Sequence, residues 1–144
     1  MPTKNYRIVS WEELHKNTRA LARRLRKYGT WSGIVAVARG GMVPAAIVSH
    51  ELGITHIDTV CISSYRGRKQ GPHTIYKEIK GNGAGLLIID DLVDTGKTAQ
   101  VLKEMLPKAH IATVYAKPAG MPFVDTFVDR VEQDLWVLFP WDEK

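Results

Sequence analysis

One stretch of the sequence decides the fold: it reads Leu86-Leu87-Ile88-Ile89-Asp90-Asp91-Leu92-Val93-Asp94-Thr95-Gly96-Lys97-Thr98. Its four leading apolar residues predict a strand buried on both faces, and this strand delivers two adjacent carboxylates, Asp90 and Asp91, to its end. A buried strand has no structural reason to end in paired acids, because like charges at close range repel each other. The pair therefore needs a cation or hydroxyl groups as its partner.

The five residues that follow, Asp94 to Thr98, lead into a predicted helix. They combine one glycine, two threonine hydroxyls and a run of amides at the helix N-terminus, an arrangement suited to a phosphate monoester. The tripeptide Gly96-Lys97-Thr98 also invites comparison with the P-loop of nucleotide triphosphatases, but that motif needs a glycine where this chain has Asp91. An acid there would repel a triphosphate, so the sequence disfavours a P-loop.

A first helix is predicted to begin at Ser10 and to stop at Gly29. The tetrapeptide Ser10-Trp11-Glu12-Glu13 has the spacing of a capping box, in which the serine side chain accepts a bond from an amide three residues on while Glu13 reaches back. The helix also carries an apolar stripe at helical spacing, which we assign to the core: Trp11, Leu14, Leu21, Ala22 and Leu25.

Strand and helix signals alternate along the rest of the chain. Apolar runs predict strands at 34–37, 57–62, 86–89 and 111–116, and helices are predicted from Pro44 to Gly53 and over 97–106. This order predicts an α/β fold with a central parallel sheet flanked by helices, and ligands at the carboxyl ends of the strands. The glycine-rich stretch 65–85 breaks the pattern, and we predict a flexible loop there with a short strand near 74–79.

Composition bounds the class of protein. The chain has 144 residues, 44% apolar and 24% charged, which predicts one globular domain spanning 1–144. Its single cysteine, Cys61, excludes an internal disulfide, and one Cys with five scattered His offers no zinc-ligand spacing. No apolar run approaches the ~18–20 residues of a membrane span and the first residues do not resemble a signal peptide, so we expect a soluble, intracellular protein.

The segment 88–98 resembles the motif with which type I phosphoribosyltransferases, and in particular the purine members of that family, bind 5-phosphoribosyl 1-diphosphate (PRPP). Four further segments share the resemblance: 34–41, 58–65, 116–120, and Trp136 with Pro140-Trp141-Asp142. The similarity covers nearly the whole chain. It implies the type I phosphoribosyltransferase fold, with a small hood and a flexible active-site loop beside the central sheet.

The resemblance implies an enzyme of purine salvage that needs Mg²⁺. It would transfer the 5-phosphoribosyl group from PRPP to guanine, xanthine or hypoxanthine, giving the nucleoside 5-monophosphate and diphosphate. Asp90 and Asp91 would bind the ribose hydroxyls, Asp91 would also face the metal, and Asp94 would act catalytically near purine N7. The implied PRPP site also takes in the rest of the motif: Leu92, Val93, Thr95, Gly96, Lys97 and Thr98.

The resemblance implies that two further groups bind the leaving diphosphate. Arg39 and Gly40 follow the first buried strand, where an arginine and glycine amides can reach a ligand. The family also carries a basic residue on the loop that closes over the reacting centre. That position falls on Gly71 here, so either Arg68 or Lys69 is expected to take its place.

The purine would be bound by Lys117, Trp136, Val137 and Asp142. An ammonium at Lys117 can donate to a carbonyl at purine C6 but cannot pair with the amino group of adenine, which predicts a 6-oxopurine as substrate. The indole of Trp136 offers a stacking face for a flat base. The family resemblance adds backbone groups of Trp136 and Val137 for the ring edge, with Asp142 near the 2-position.

The expected partners are PRPP, the purine base and further copies of the chain, as a tetramer by the family's habit or as a dimer. We expect a cytoplasmic enzyme that binds no nucleic acid. The net charge of +5 and the basic first helix are compatible with weak, peripheral contact with the inner face of the cell membrane. The alternative is a PRPP-sensing regulator that binds nucleic acid on the same fold. Lys117 and Trp136 favour the enzyme, because a regulator has no reason to keep a complete purine pocket.

Overall fold

The protein is described by a computed structural model that covers residues 5–63, 74–77 and 79–142. Within these residues the strands and helices are, in chain order, β1 (Tyr6–Ile8), α1 (Trp11–Arg26), β2 (Gly33–Ala38), α2 (Met42–Leu52), β3 (Ile57–Ser63), β4 (Thr74–Lys77), β5 (Leu86–Val93), α3 (Lys97–Met105), β6 (His110–Ala116), β7 (Asp129–Arg130) and β8 (Trp136–Leu138). A short 3-10 turn, Met121–Phe123, lies between β6 and β7.

The central sheet has six strands in the order β4-β3-β2-β5-β6-β7. Five of them are parallel, and β4 alone pairs antiparallel, with β3. The predicted parallel sheet is therefore confirmed. Strands β2 and β5 lie side by side in the middle, and this places the loops that follow them next to each other.

Helices cover both faces of this sheet. On one face α1 and α2 pack with residues such as Leu21, Leu25 and Val48 against the strands. On the other face α3 contributes Leu102, which packs with Ile88 of β5. Because both faces are covered, the central strands are apolar along their length, as their Ile- and Val-rich runs predict.

The start of α1 matches the predicted capping box only in part. The amide of Glu13 donates to Ser10 Oγ at 3.0 Å, as predicted. The Glu13 carboxylate does not reach back to Ser10, because it instead accepts bonds from Arg7 and from the hydroxyl of Tyr115. The assignment of Trp11 to the core was wrong: this first residue of the helix is 56% exposed, and its ring makes an edge contact with Trp141.

A second, two-stranded sheet pairs β1 in parallel with β8, and it forms the small hood. Arg7 of β1 connects this hood to the rest of the fold, since its guanidinium donates to Asp129 of β7 at 3.0 Å and also to Glu13 of α1. Three-residue strands carry too little hydrophobic periodicity to be recognised in the sequence. The hood therefore joins the two ends of the described chain beside the carboxyl edge of the main sheet. No helix among the described residues is long and apolar enough to cross a membrane.

Candidate active site

Three loops meet at the carboxyl edge of the sheet. They follow β2, β5 and β6, which are hydrogen-bonded neighbours, and they comprise residues 39–41, 94–98 and 117–120. A cavity of about 650 Å³ opens at this edge. It is lined by Asp90, by the loop after β5 and by the first turns of α3. The edge therefore brings together residues from distant parts of the chain, as the parallel topology requires.

Asp90 and Asp91 lie inside β5, which continues four residues beyond the apolar run that predicts it. Both are half-buried, and the amide of Asp91 donates to Asp90 Oδ1 at 2.8 Å. Burial, followed by the neighbouring carboxylate, raises the pKa of Asp90 well above its usual range. Burial also raises the pKa of Asp91, and the charge of Asp142 adds to that shift. Two acids held in this way favour a cation or hydroxyl donors as partners.

The loop after β2 approaches this acid pair closely. A Cβ at Gly41 would overlap the backbone carbonyl of Ile89, so that position excludes any side chain, whereas a Cβ at Gly40 would overlap the carboxylate of Asp91 and would force that side chain to move. The peptide bond between Ala38 and Arg39 is cis. The Arg39 side chain is exposed and has no hydrogen bond or ion pair within the described part of the chain. Its guanidinium is therefore available to an anion beside Asp91.

The loop after β5 turns sharply into α3. Gly96 precedes the helix with a φ of +92°, a conformation that favours glycine, and a Cβ there would also overlap the ring of Phe123. The first amides of the helix have no acceptor inside the helix, and Thr95 and Thr98 line the cavity at this end of the helix. This geometry agrees with the phosphate cradle predicted from the sequence.

Lys117 begins the loop after β6, and its side chain is almost fully enclosed. The residue is only 4% exposed, and its amide donates to the carbonyl of Val93 at 2.9 Å. The ammonium has one ion-pair partner among the described residues, Asp94 Oδ2, at the long distance of 3.5 Å. A buried ammonium needs acceptors, so this site can take a further oxygen from a ligand.

The hood carries an exposed aromatic side chain, Trp136. Trp136 is 46% exposed, and its amide donates to the carbonyl of Asn5 at 2.9 Å, whereas Val137 is buried. An indole in the core would offer no stacking surface, so its exposure agrees with the stacking role predicted for Trp136.

The family model for the phosphoribosyl transferase domain matches residues 8–144 of this chain. The chain belongs to this family. It is 56% identical to a xanthine-guanine phosphoribosyltransferase of Nitratidesulfovibrio vulgaris over 137 residues, which are 94% of this chain and 84% of the relative. It is 58% identical to the protein of that name from Desulfotalea psychrophila over 135 residues, which are 93% of this chain and 84% of the relative.

Solved phosphoribosyltransferase structures agree with this assignment. A purine phosphoribosyltransferase from Pyrococcus horikoshii superposes with a TM-score of 0.83 and 31% identity, covering 99% of this chain and 96% of that one. A xanthine-guanine-hypoxanthine phosphoribosyltransferase from Helicobacter pylori shares the fold, with a TM-score of 0.77 and 23% identity over 95% of this chain and 94% of that one. The predicted resemblance to the type I purine phosphoribosyltransferases, their fold and the prediction of an enzyme are confirmed. The nucleic-acid-binding regulator is not favoured.

Not every predicted site residue of this phosphoribosyltransferase lies in the cluster. Arg68 and Lys69, together with Gly71, fall outside the described residues. Asp142 is described, but its carboxylate accepts a bond from the Phe139 amide at 2.9 Å and so closes a turn. Asp142 is near enough to Asp91 to affect its pKa, and a contact with a base stays a prediction.

No pattern in the sequence pointed to one residue of the cluster, Gln133. Its side-chain amide donates to Asp94 Oδ1 at 2.8 Å, and its carbonyl accepts a bond from the Ala119 amide at 2.7 Å. Gln133 lies in an irregular segment before β8, with no motif around it that has recognisable chemistry. Only the folded chain brings this segment against the loops after β5 and β6.

Proposed function

We propose that this phosphoribosyltransferase transfers ribose 5-phosphate from PRPP to a 6-oxopurine. The products are a nucleoside 5-monophosphate and diphosphate. The observation that carries the proposal is the buried ammonium of Lys117, which has one long contact with Asp94 and faces the same edge as the phosphate cradle. A carbonyl oxygen at purine C6 satisfies that ammonium, whereas the amino group of adenine has no acceptor to offer in its place.

PRPP spans two of the three loops in this proposal. Its 5-phosphate lies on the amides and hydroxyls of residues 94–98, with Leu92 and Val93 supporting this loop from β5. Its diphosphate reaches Arg39 and Gly40. Gly40 lies so close to Asp91 that a Cβ at this position would overlap the Asp91 carboxylate. The two acids then lie between the phosphate groups, where the ribose hydroxyls donate to Asp90 and Asp91.

The transfer breaks the bond between ribose C1 and the diphosphate oxygen and forms a bond from C1 to a purine nitrogen. Positive charge develops on the ribose ring as the diphosphate leaves with the electron pair, and the carboxylates of Asp90 and Asp91 stabilise it. The purine loses a proton as its nitrogen attacks. The Asp94 carboxylate, about half exposed at the pocket, accepts a proton at purine N7 in this scheme.

Base binding combines one polar and one apolar contact. Lys117 donates to the C6 oxygen, and Trp136 stacks on the ring while backbone groups of Trp136 and Val137 meet its edge. Asp142 completes the 2-position contact in this proposal. Guanine, xanthine and hypoxanthine all carry the C6 oxygen, so the proposal covers these three bases.

The residues present fit Mg²⁺. The described part of the chain holds no group of three or more His, Cys, Asp and Glu that could bind a metal by itself. Mg²⁺ typically takes one or two carboxylates together with waters and substrate oxygens, so Asp91 beside a bound PRPP matches its preference. When bound, the ion would neutralise charge on the diphosphate.

The test measures nucleotide formation from PRPP with guanine, xanthine, hypoxanthine and adenine separately, with Mg²⁺ and with the metal chelated. We expect metal-dependent turnover of the three 6-oxopurines and none with adenine. Saturable PRPP binding without turnover of any base would refute the enzyme and favour the regulator.

Self-association as a tetramer or dimer is a separate proposal, and sedimentation equilibrium tests it directly. A monomer at enzyme-assay concentration would contradict it.

A further inference from the structure

We infer that Gln133 is a positioning residue that fixes the catalytic carboxylate of Asp94 and ties it to the base-binding loop. This inference rests on the proposed function, since it assigns Gln133 a role in the transfer step itself. It concerns a residue outside the sequence motif that contacts Asp94, the first residue of the loop that forms the phosphate cradle. Gln133 acts through its two hydrogen bonds, one to each side of the base pocket.

The orientation of the Gln133 amide follows from its partners. The backbone N–H of Ala119 can only donate, so the side-chain carbonyl of Gln133 must face it, at 2.7 Å. The NH₂ group then necessarily points to Asp94, where it donates to Oδ1 at 2.8 Å and more weakly to the main-chain carbonyl at 3.4 Å. Both ends of the amide are used, and the reverse orientation would face donor with donor and acceptor with acceptor.

Asp94 needs such a contact because little else restrains it. Its side chain is 53% exposed, and its other oxygen, Oδ2, meets the Lys117 ammonium only at 3.5 Å. Rotation about the last bond of an aspartate side chain is soft. Without Gln133 the carboxylate would turn into solvent, and a base that takes a proton at a ring nitrogen must lie within hydrogen-bond reach of that atom.

Gln133 also joins three segments that must move together. It links Asp94, after β5, to Ala119 in the turn that begins at Lys117, and it lies three residues before Trp136. The turn packs tightly on Asp94, because a Cβ at Gly120 would come within 2.8 Å of the Asp94 carbonyl. One side chain therefore sets the distance between the proton acceptor and the donor to the C6 oxygen.

Two variants distinguish a role of Gln133 in positioning the Asp94 carboxylate from a purely structural role. Gln133→Glu keeps an acceptor for the Ala119 amide but loses the donor to Asp94, and Gln133→Met loses both bonds. We expect each to lower kcat with hypoxanthine about ten- to a hundredfold, because small displacements of a reacting group carry costs of that size. KM for PRPP should stay within about twofold, since neither variant changes residues 95–98, whose amides and hydroxyls would hold the phosphate. Glu132→Gln, at the neighbouring exposed position, is the matched control and should behave like the wild type.

The decisive readout is coupling with Asp94. If Gln133 acts through that carboxylate, Gln133→Met should cost little further kcat in an Asp94→Asn background, so the two effects are not additive. Thermal unfolding of every variant is measured alongside. Full additivity, or a Gln133→Glu enzyme with wild-type kcat, would overturn the inference while leaving the proposed function intact. No turnover by the wild-type chain would refute the proposed function, and this inference with it.

Discussion

Replacing Lys117 with methionine tests the base site most directly. Lys117 is almost fully buried, and within the described part of the chain its ammonium has a single ion-pair contact, at 3.5 Å with a half-exposed carboxylate. Hydrogen bonds to charged groups contribute about 1.5–3 kcal/mol. Losing one from the base complex therefore corresponds to a rise of about ten- to a hundredfold in KM for hypoxanthine. KM for PRPP should change little, because among the described residues of the 94–98 loop the ammonium pairs with the Asp94 carboxylate, whereas the amides and hydroxyls of that loop would hold the phosphate.

The same substitution should leave the fold at least as stable. A buried charge with one long contact gains little Coulomb energy against its desolvation cost, and methionine fills a similar volume. The remaining partner, Asp94, is 53% exposed and stays solvated when the ammonium is removed. We therefore expect Lys117→Met to have an unchanged or higher Tm, which separates a binding defect from a folding defect.

The assay is the initial rate of nucleotide formation with hypoxanthine and with adenine, each at saturating PRPP, together with thermal unfolding. Lys108→Met, an exposed lysine on the loop before β6, is the matched control. Wild-type KM for hypoxanthine in Lys117→Met would refute the assignment of Lys117 to the C6 oxygen. A large loss of Tm would refute the view that this ammonium serves binding more than stability.

Three further outcomes follow from the described geometry. In Gly40→Ala the new methyl group displaces the Asp91 carboxylate, so kcat/KM for PRPP should fall about a hundredfold while Tm barely moves; wild-type kinetics would show that the two groups are not in contact. In Gly96→Ala the positive φ and the overlap with Phe123 should lower the free energy of unfolding by at least about 1–2 kcal/mol in urea, and an unchanged midpoint would contradict this. Burial lowers the pKa of His110 in the folded state below its usual value of 6.5, so the unfolded chain takes up this proton more readily than the folded one. The contribution of neutral His110 to the free energy of unfolding is therefore fully present above about pH 6.5 and is lost as the pH falls toward the lower pKa of the folded state. His110→Gln should flatten that acid slope in chemical unfolding, and equal slopes in both proteins would refute the assignment.

Much of the candidate site could be read from the sequence because it is local. The motif from Asp90 to Thr98 is one continuous stretch that contains its own strand, turn and helix start, so spacing alone indicates the chemistry. Arg39 and Lys117 each follow a buried strand, and the rule that ligands bind at the carboxyl ends of parallel strands brings them to the same edge. The capping serine at the start of α1 was equally local.

The elements that the sequence did not reveal are held by distant partners. The hood pairs β1 with β8 across almost the whole chain, and neither three-residue strand has a period of its own. Glu13 leaves its predicted local partner because Arg7 and Tyr115 approach it from other elements. Which hydrogen-bond partner a side chain takes depends on the groups that tertiary packing brings within reach. A pattern of residues along the chain does not encode those partners.

The sequence by itself determined the parallel sheet, the acid pair and the turn from β5 into α3, because hydrophobic period and residue spacing act over a few residues at a time. Tertiary structure alone decided how Asp94 is held between Lys117 and Gln133, and that Trp136 faces solvent while Val137 beside it is buried. The physical reason is range. Hydrogen bonds act over about 3 Å, and only folding brings residues 39 positions apart within that distance.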